Sequence, residues 1–98
     1  MDMHVLLKEA ERMKETITAD RRTLHQNPEA GPDLPETAAY VKRRLEEMGY
    51  APQELAGGIT ADIAGAGTGR CILLRADMDA LRVREETGLE FQSENGNM

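Results

Sequence analysis

Tryptophan is absent from these 98 residues, and Phe91, Tyr40 and Tyr50 are the only aromatics. A core must therefore come from aliphatic side chains, without the large rings that dominate many small domains. The single cysteine, Cys71, excludes an internal disulfide and fits a reducing cytoplasm. No run approaches the roughly 18 apolar residues of a membrane span, and the charged N-terminal stretch lacks a secretory apolar segment. A basic face is missing as well. The net charge of −6 argues against nucleic acid, whose binders displace counterions with Lys and Arg. Arg21-Arg22 and Lys42-Arg43-Arg44 lie in helical patterns rich in Glu and Asp, which makes them parts of mixed, solvated faces. The expectation is a cytoplasmic protein with neither membrane nor nucleic-acid partner. At this length it is at most one small domain, with a thin margin of buried surface.

Two helices and a run of short strands are legible in what is present. Leu6, Ala10, Met13, Ile17 and Leu24 recur at spacings of four, three, four and seven, which predicts an amphipathic helix over about 3–25. Asn27-Pro28 stops it, because a residue before proline is pushed out of the α region. After a turn at 30–33 a second helix follows. Asp33 is placed to cap it, with Glu36 completing a capping box and Pro35 in the first turn. Its inner face is Thr37, Val41, Leu45 and Met48, with Tyr40 beside them. Gly49 ends it as a left-handed cap, with Tyr50 folding back. Residues 51–55 form a weak strand candidate. Beyond Gly57-Gly58, residues 59–64 alternate apolar and polar as a half-buried strand does. The glycine-rich loop 65–69 then leads into 70–76, where Cys71-Ile72-Leu73-Leu74 reads as a strand buried on both faces. The last two strands read as a hairpin.

The strand at 70–76 ends on Asp77 and Asp79. Alternation puts both on one face, at the carboxyl end of a strand, where open α/β sheets bind ligands. A carboxylate there can ligate a metal or orient a ligating imidazole. It can equally hydrogen-bond N–H groups of the following turn. The residues alone leave both readings open. The other motifs have plainer explanations. Gly65-Ala66-Gly67-Thr68-Gly69 is followed by a strand instead of the helix that a phosphate loop requires, and has no Walker lysine. Cys71, in an aliphatic run, reads as a small buried hydrophobe. His25, at the end of the first helix, reads as a cation bonding the last carbonyls. His4, near a terminus that frays, carries no signal.

The order of segments resembles the aminoacylase and carboxypeptidase-like amidohydrolases, in the branch of hippurate and indole-acetyl-amino-acid hydrolases. The resemblance runs through Arg21-Arg22-Thr23-Leu24-His25-Gln26-Asn27-Pro28-Glu29, Thr37-Ala38-Ala39, Leu45 to Gly49-Tyr50, and Gly58-Ile59-Thr60-Ala61. It is densest at Leu73-Leu74-Arg75-Ala76-Asp77-Met78-Asp79-Ala80-Leu81 and Glu85-Glu86-Thr87-Gly88-Leu89. Two departures bear on loop geometry. Arg82 stands where proline usually follows Ala-Leu, and Gly31-Pro32-Asp33-Leu34-Pro35 replaces a more usual Gly-Phe-Glu-Glu stretch.

The resemblance implies an α/β fold in which two helices pack on a small partial sheet, the N-terminal portion of a zinc-exopeptidase-like catalytic domain. Residues 1–98 would then be a partial catalytic domain, without the inserted dimerisation domain. The complete enzyme would hold two divalent metal ions (zinc, manganese or cobalt) and cleave the amide bond of N-acyl amino acids. A His-Ala-Cys-Gly-His-Asp motif, bearing the first metal ligands, would follow a segment like Gly96-Asn97-Met98. Asp79 matches the family aspartate that orients ligands beside the metal centre. Asp77 falls where carboxypeptidase relatives place a histidine ligand. Asp79 and Asp77 are thus the candidate catalytic residues, and no metal ligand or bound cofactor is expected in this chain alone. The expectation is an enzyme fragment inactive by itself, with a truncated paralogue serving as a non-catalytic binding or assembly module as the alternative. In the fragment, the helix stripes would cover one face of the Ile72–Leu74 strand in a three-stranded sheet. The other face would stay bare and favour homo-oligomers.

Overall fold

The computed structural model describes residues 2–98, with two helices and one two-stranded antiparallel sheet among them. The chain divides into two compact units: one joins the stretch up to Pro28 with Val83–Met98, and the other is Glu29–Arg82.

The first unit is built on α1, Met3–Gln26, close to the bounds its periodicity predicts. Asp2 is the N-cap and accepts from the His4 N–H at 2.9 Å, satisfying one of the donors that a helix start leaves without partners. Asn27 leaves helical geometry ahead of the buried Pro28. The segment 83–98 has no helix or strand, and hydrogen bonds tie it to the end of α1. The Glu94 N–H donates to the Gln26 carbonyl at 2.8 Å, and Asn95 Nδ2 donates to the Pro28 carbonyl at 2.9 Å.

The second unit holds α2, Pro35–Glu47, and the strands β1, Gln53–Leu55, and β2, Gly58–Thr60. The α2 terminus is as the sequence implies. Gly49 sits at φ +93°, its N–H donating to Glu46 O (2.9 Å) and that of Tyr50 to Leu45 O (3.0 Å), the paired bonds of a Schellman motif. The start is different. Leu34, not Asp33, is the N-cap, no side chain from the cap position bonds the helix, and Asp33 is exposed. The carboxylate of Glu29 takes that role from outside, accepting the N–H of Thr37 at 2.6 Å and of Glu36 at 3.3 Å. A glutamate arm reaching in from several residues upstream is as good an acceptor as a local cap. Of the expected inner face, Thr37 is buried and Tyr40, Val41 and Leu45 are half-buried. Met48, past the last helical residue, is exposed.

The sheet departs most from expectation. The hairpin pairs β1 with β2 in the register Gln53↔Thr60, Glu54↔Ile59 and Leu55↔Gly58. Its two-residue loop, Ala56 (φ +50°) and Gly57 (φ +85°), has the signs of a type I′ turn, whose twist matches that of the strands. β2 packs against α2. The hairpin expected between 59–64 and 70–76 is not formed, and residues 61–82 are irregular. Ile72, Leu73 and Leu74 are 83%, 90% and 90% exposed, and Cys71 is exposed as well. Both the buried-strand reading and the buried-cysteine reading are thereby corrected. A segment apolar on both faces needs a hydrogen-bonded neighbour and cover on two sides, and this unit supplies neither. Apart from Pro28, Leu34 is the one buried aliphatic side chain among the described residues. The α/β architecture with two helices holds, with two strands in place of three.

Replacing Glu29 with Ala leaves the Thr37 and Glu36 N–H groups without their acceptor. The expected cost is about 1 kcal/mol, the usual effect of losing a helix cap. Chemical denaturation followed by circular dichroism measures it, with Asp33→Ala, in which no cap is lost, expected to be near neutral.

Candidate functional site

Asp77 and Asp79 lie in the irregular stretch of the Glu29–Arg82 unit, so no strand alternation sets their directions. Arg75 donates through its guanidinium to Asp77 Oδ1 at 2.8 Å, a pair exposed on both sides and worth little energetically. Asp79 is exposed. The next residue anchors the stretch: the Ala80 N–H donates to the Glu29 carbonyl at 2.8 Å, so Glu29 binds α2 through its side chain and this loop through its backbone. Among the described residues no three His, Cys, Asp or Glu side chains converge as a metal would require. The residues present therefore do not by themselves fit a divalent ion. The same unit has an open hollow of about 380 Å³ between the start of α2 and the hairpin, lined by Pro32, Leu34, Pro35, Ala38 and Ile59, with Asp33 and Glu54 at its polar side. Glu54 is spanned by Lys42 at 3.5 Å. The hollow presents no nucleophile beside a base.

The densest polar cluster is in the other unit, around Glu85. This carboxylate is buried, and it accepts from His25 Nε2 at 2.6 Å, from the Ser93 N–H at 2.9 Å, and from the Thr87 hydroxyl. Its pKa is held below the ordinary 4.5, first by the Thr87 hydroxyl and then by the Ser93 N–H, against the opposing effect of burial, with His25 adding to the lowering. An ionised carboxylate only accepts, so the proton in the short contact lies on Nε2 of His25. Contrary to the expectation from its position, the imidazole does not cap α1; its Nε2 bonds Glu85 in the C-terminal segment instead. Its ring meets Phe91 edge-on at 6.3 Å, and the Arg22 guanidinium lies 4.1 Å from the Phe91 ring centre. A histidine paired with a carboxylate is half of a base-and-orienter arrangement. Here every donor to Glu85 belongs to the unit's own framework, so the pair acts as a latch between α1 and the segment 83–98.

Sequence reading passed over both Glu29 and Glu85. Signals existed for Glu85: Thr87 two residues on, where a hydroxyl folds back, and Gly88 beyond it, which takes φ +71°. Glu29 carries the second lowered pKa. Burial, the largest influence, pushes it up and is outweighed by hydrogen bonds from the Thr37 hydroxyl and the N–H groups of Thr37 and Glu36.

Comparison with known proteins adds the context that the isolated geometry lacks. The chain is 42% identical over 85 residues to N-acetyl-L-cysteine deacetylase of Bacillus subtilis, covering 85% of this chain and 20% of that protein. It is 39% identical over 80 residues to hippurate hydrolase of Campylobacter jejuni, covering 80% and 21%. It is 35% identical over 97 residues to thermostable carboxypeptidase 1 of Saccharolobus solfataricus, covering 95% and 25%. The chain thus spans about a fifth to a quarter of the length of these curated relatives. No family model and no solved structure matches it. No helix among the described residues is long and apolar enough to cross a membrane.

Both lowered carboxylate pKa values fix the sign of a pH effect. A group whose folded pKa lies below its unfolded value stabilises the fold above the unfolded value, and that contribution is lost as pH falls through the folded one. Stability is therefore expected to decline from about pH 4.5 downward. The protection of the Ser93 amide, its exchange rate relative to the intrinsic rate at each pH, is expected to fall over the same window, and Glu85→Gln to flatten that dependence.

Proposed function

The chain belongs to the amidohydrolase and carboxypeptidase-like peptidase family, and we propose that it is the N-terminal part of a metal-dependent enzyme cleaving the amide bond of N-acyl amino acids. One observation carries the reading. Relatives named for removing acyl groups from amino acids match 80–85% of this chain, and the match takes up only about a fifth of their own length. The exposed aliphatic run Ile72–Leu74 supports it, since a longer polypeptide would supply the neighbouring strands that a twice-apolar segment requires.

Residues 1–98 are then a partial catalytic domain. Asp79 takes the orienting role beside a metal centre. Asp77, now paired with Arg75, stands next to it as the second candidate. In the complete enzyme two divalent ions such as zinc, manganese or cobalt supply Lewis-acid chemistry, and their ligands come from beyond the residues described here. The small-molecule substrate class is an N-acyl amino acid, and the cytoplasm is the compartment that suits a lone, exposed thiol.

A chimera tests the reading: this chain replaces the matching segment of the Bacillus subtilis N-acetyl-L-cysteine deacetylase. Deacetylation of N-acetyl-L-cysteine is expected in the chimera and not in the 98-residue chain. Asp79→Asn in the chimera is expected to reduce turnover about 10- to 100-fold, the usual effect of removing a group that orients metal ligands. A folded, metal-loaded chimera without activity, or one indifferent to Asp79→Asn, would refute the proposal.

A further inference from the structure

The loop that carries Asp79 is referred to the rest of its unit through Glu29. The Ala80 N–H donates to the Glu29 carbonyl at 2.8 Å, which fixes the backbone one residue past Asp79. The two stretches stay close beyond that bond. A Cβ placed on Gly31 would lie 3.5 Å from the Arg82 guanidinium, so residues 29–31 run beside 80–82. Exposure alternates around the same bond: Met78 and Ala80 are half-buried, whereas Asp77, Asp79 and Leu81 are exposed. The anchored backbone thus leaves Asp79 facing outward without a strand to impose the alternation.

The Glu29 carbonyl is itself held in place by the Glu29 side chain. Its carboxylate accepts the N–H of Thr37 at 2.6 Å and of Glu36 at 3.3 Å, at the positive end of α2. Such charge-assisted bonds are stronger than those between neutral groups. Thr37 is buried, and α2 packs on β2, so the seat of the carboxylate is the most regular part of the unit. We propose that Glu29 is a positioning residue for Asp79: its carboxylate, seated on the first turn of α2, fixes the point from which its carbonyl holds the Asp79 loop. The inference rests on the reading of Asp79 as the orienting carboxylate of an amidohydrolase site. Glu29 touches no reacting group and acts through Asp79. Removing its side chain leaves the carbonyl in the chain but frees it from α2, and the loop moves with it. A misplacement of about 1 Å can lower a rate by roughly 100-fold, so a bond of modest value to the fold weighs heavily on turnover.

Two measurements test the link. In the 98-residue chain, the protection of the Ala80 amide is read by nuclear magnetic resonance. It is expected to fall in Glu29→Ala and to survive in Glu29→Gln, whose amide oxygen can still accept from Thr37. In the chimera with the Bacillus subtilis deacetylase, Glu29→Ala is expected to lower kcat about 10- to 100-fold with KM nearly unchanged, and Glu29→Gln to restore most of it. Gly49→Ala is the control for stability alone. It strains the end of α2 at φ +93°, where an added Cβ meets nothing within 4 Å, and is expected to leave both Ala80 protection and kcat in place. Because Glu29 acts through Asp79, adding Glu29→Ala to Asp79→Asn is expected to lower turnover no further. Ala80 protection indifferent to Glu29→Ala, a kcat loss matched by Gly49→Ala, or additive losses in the double variant would overturn the proposal. In those cases the chimera still responds to Asp79→Asn alone. Indifference to Asp79→Asn would instead remove the reading of Asp79, and the role of Glu29 with it.

Discussion

Glu29 and Glu85 each gather N–H and O–H donors from separate stretches of their own unit, and the rest of the structure depends on these two acceptors. Apolar burial cannot play that part, since Leu34 and Pro28 are the only buried aliphatic side chains among the described residues. Glu29 starts α2 through Thr37 and Glu36, and its backbone carbonyl holds the loop that carries Asp79. Glu85 joins His25 at the end of α1 to Ser93 in a segment without secondary structure. In each, hydrogen bonds from several donors together outweigh the upward push of burial, so both groups keep low pKa values. The stability of this chain is therefore more polar, and more sensitive to acid, than its aliphatic content suggests.

The helices were legible because their information is local. Apolar spacing set α1 and α2, Asn27-Pro28 closed the first, and Gly49 closed the second with the φ that only a glycine takes easily. What failed was non-local. Residues 70–76 have the composition of a buried strand, yet a strand exists only when paired, and pairing is a property of the neighbours. The hairpin that did form turns on Ala56, a residue type not associated with left-handed turns, so Gly57-Gly58 read as a break. The capping of α2 by Glu29 spans seven and eight residues, too far for a local box to reveal. At the candidate site, the identities of Asp77 and Asp79 were readable, but their geometry was not, because it rested on the strand. The latch at Glu85 was hidden by the sixty residues between it and His25.

These failures share one cause with the family match. The segments that resemble the amidohydrolases most densely, 73–81 above all, are those with the least structure here. A sequence adapted to a larger sheet keeps its apolar run whether or not the sheet is present. Under the proposed reading, the exposure of Ile72–Leu74 and the unanchored side chain of Asp79 are two results of the same missing neighbours. The two carboxylate hubs, by contrast, draw all their donors from within this chain, and so persist without them.

Backbone amide exchange over residues 71–76 tests that view most directly. It is measured by mass spectrometry on the 98-residue chain and on the same residues joined to the remainder of the Bacillus subtilis relative. In the short chain these amides are expected to exchange at rates near those of an unstructured peptide, and in the joined protein to be strongly protected, as in a central strand. Protection already present in the short chain, or still absent in a folded joined protein, would contradict the assignment of this run to a sheet that the rest of the enzyme completes.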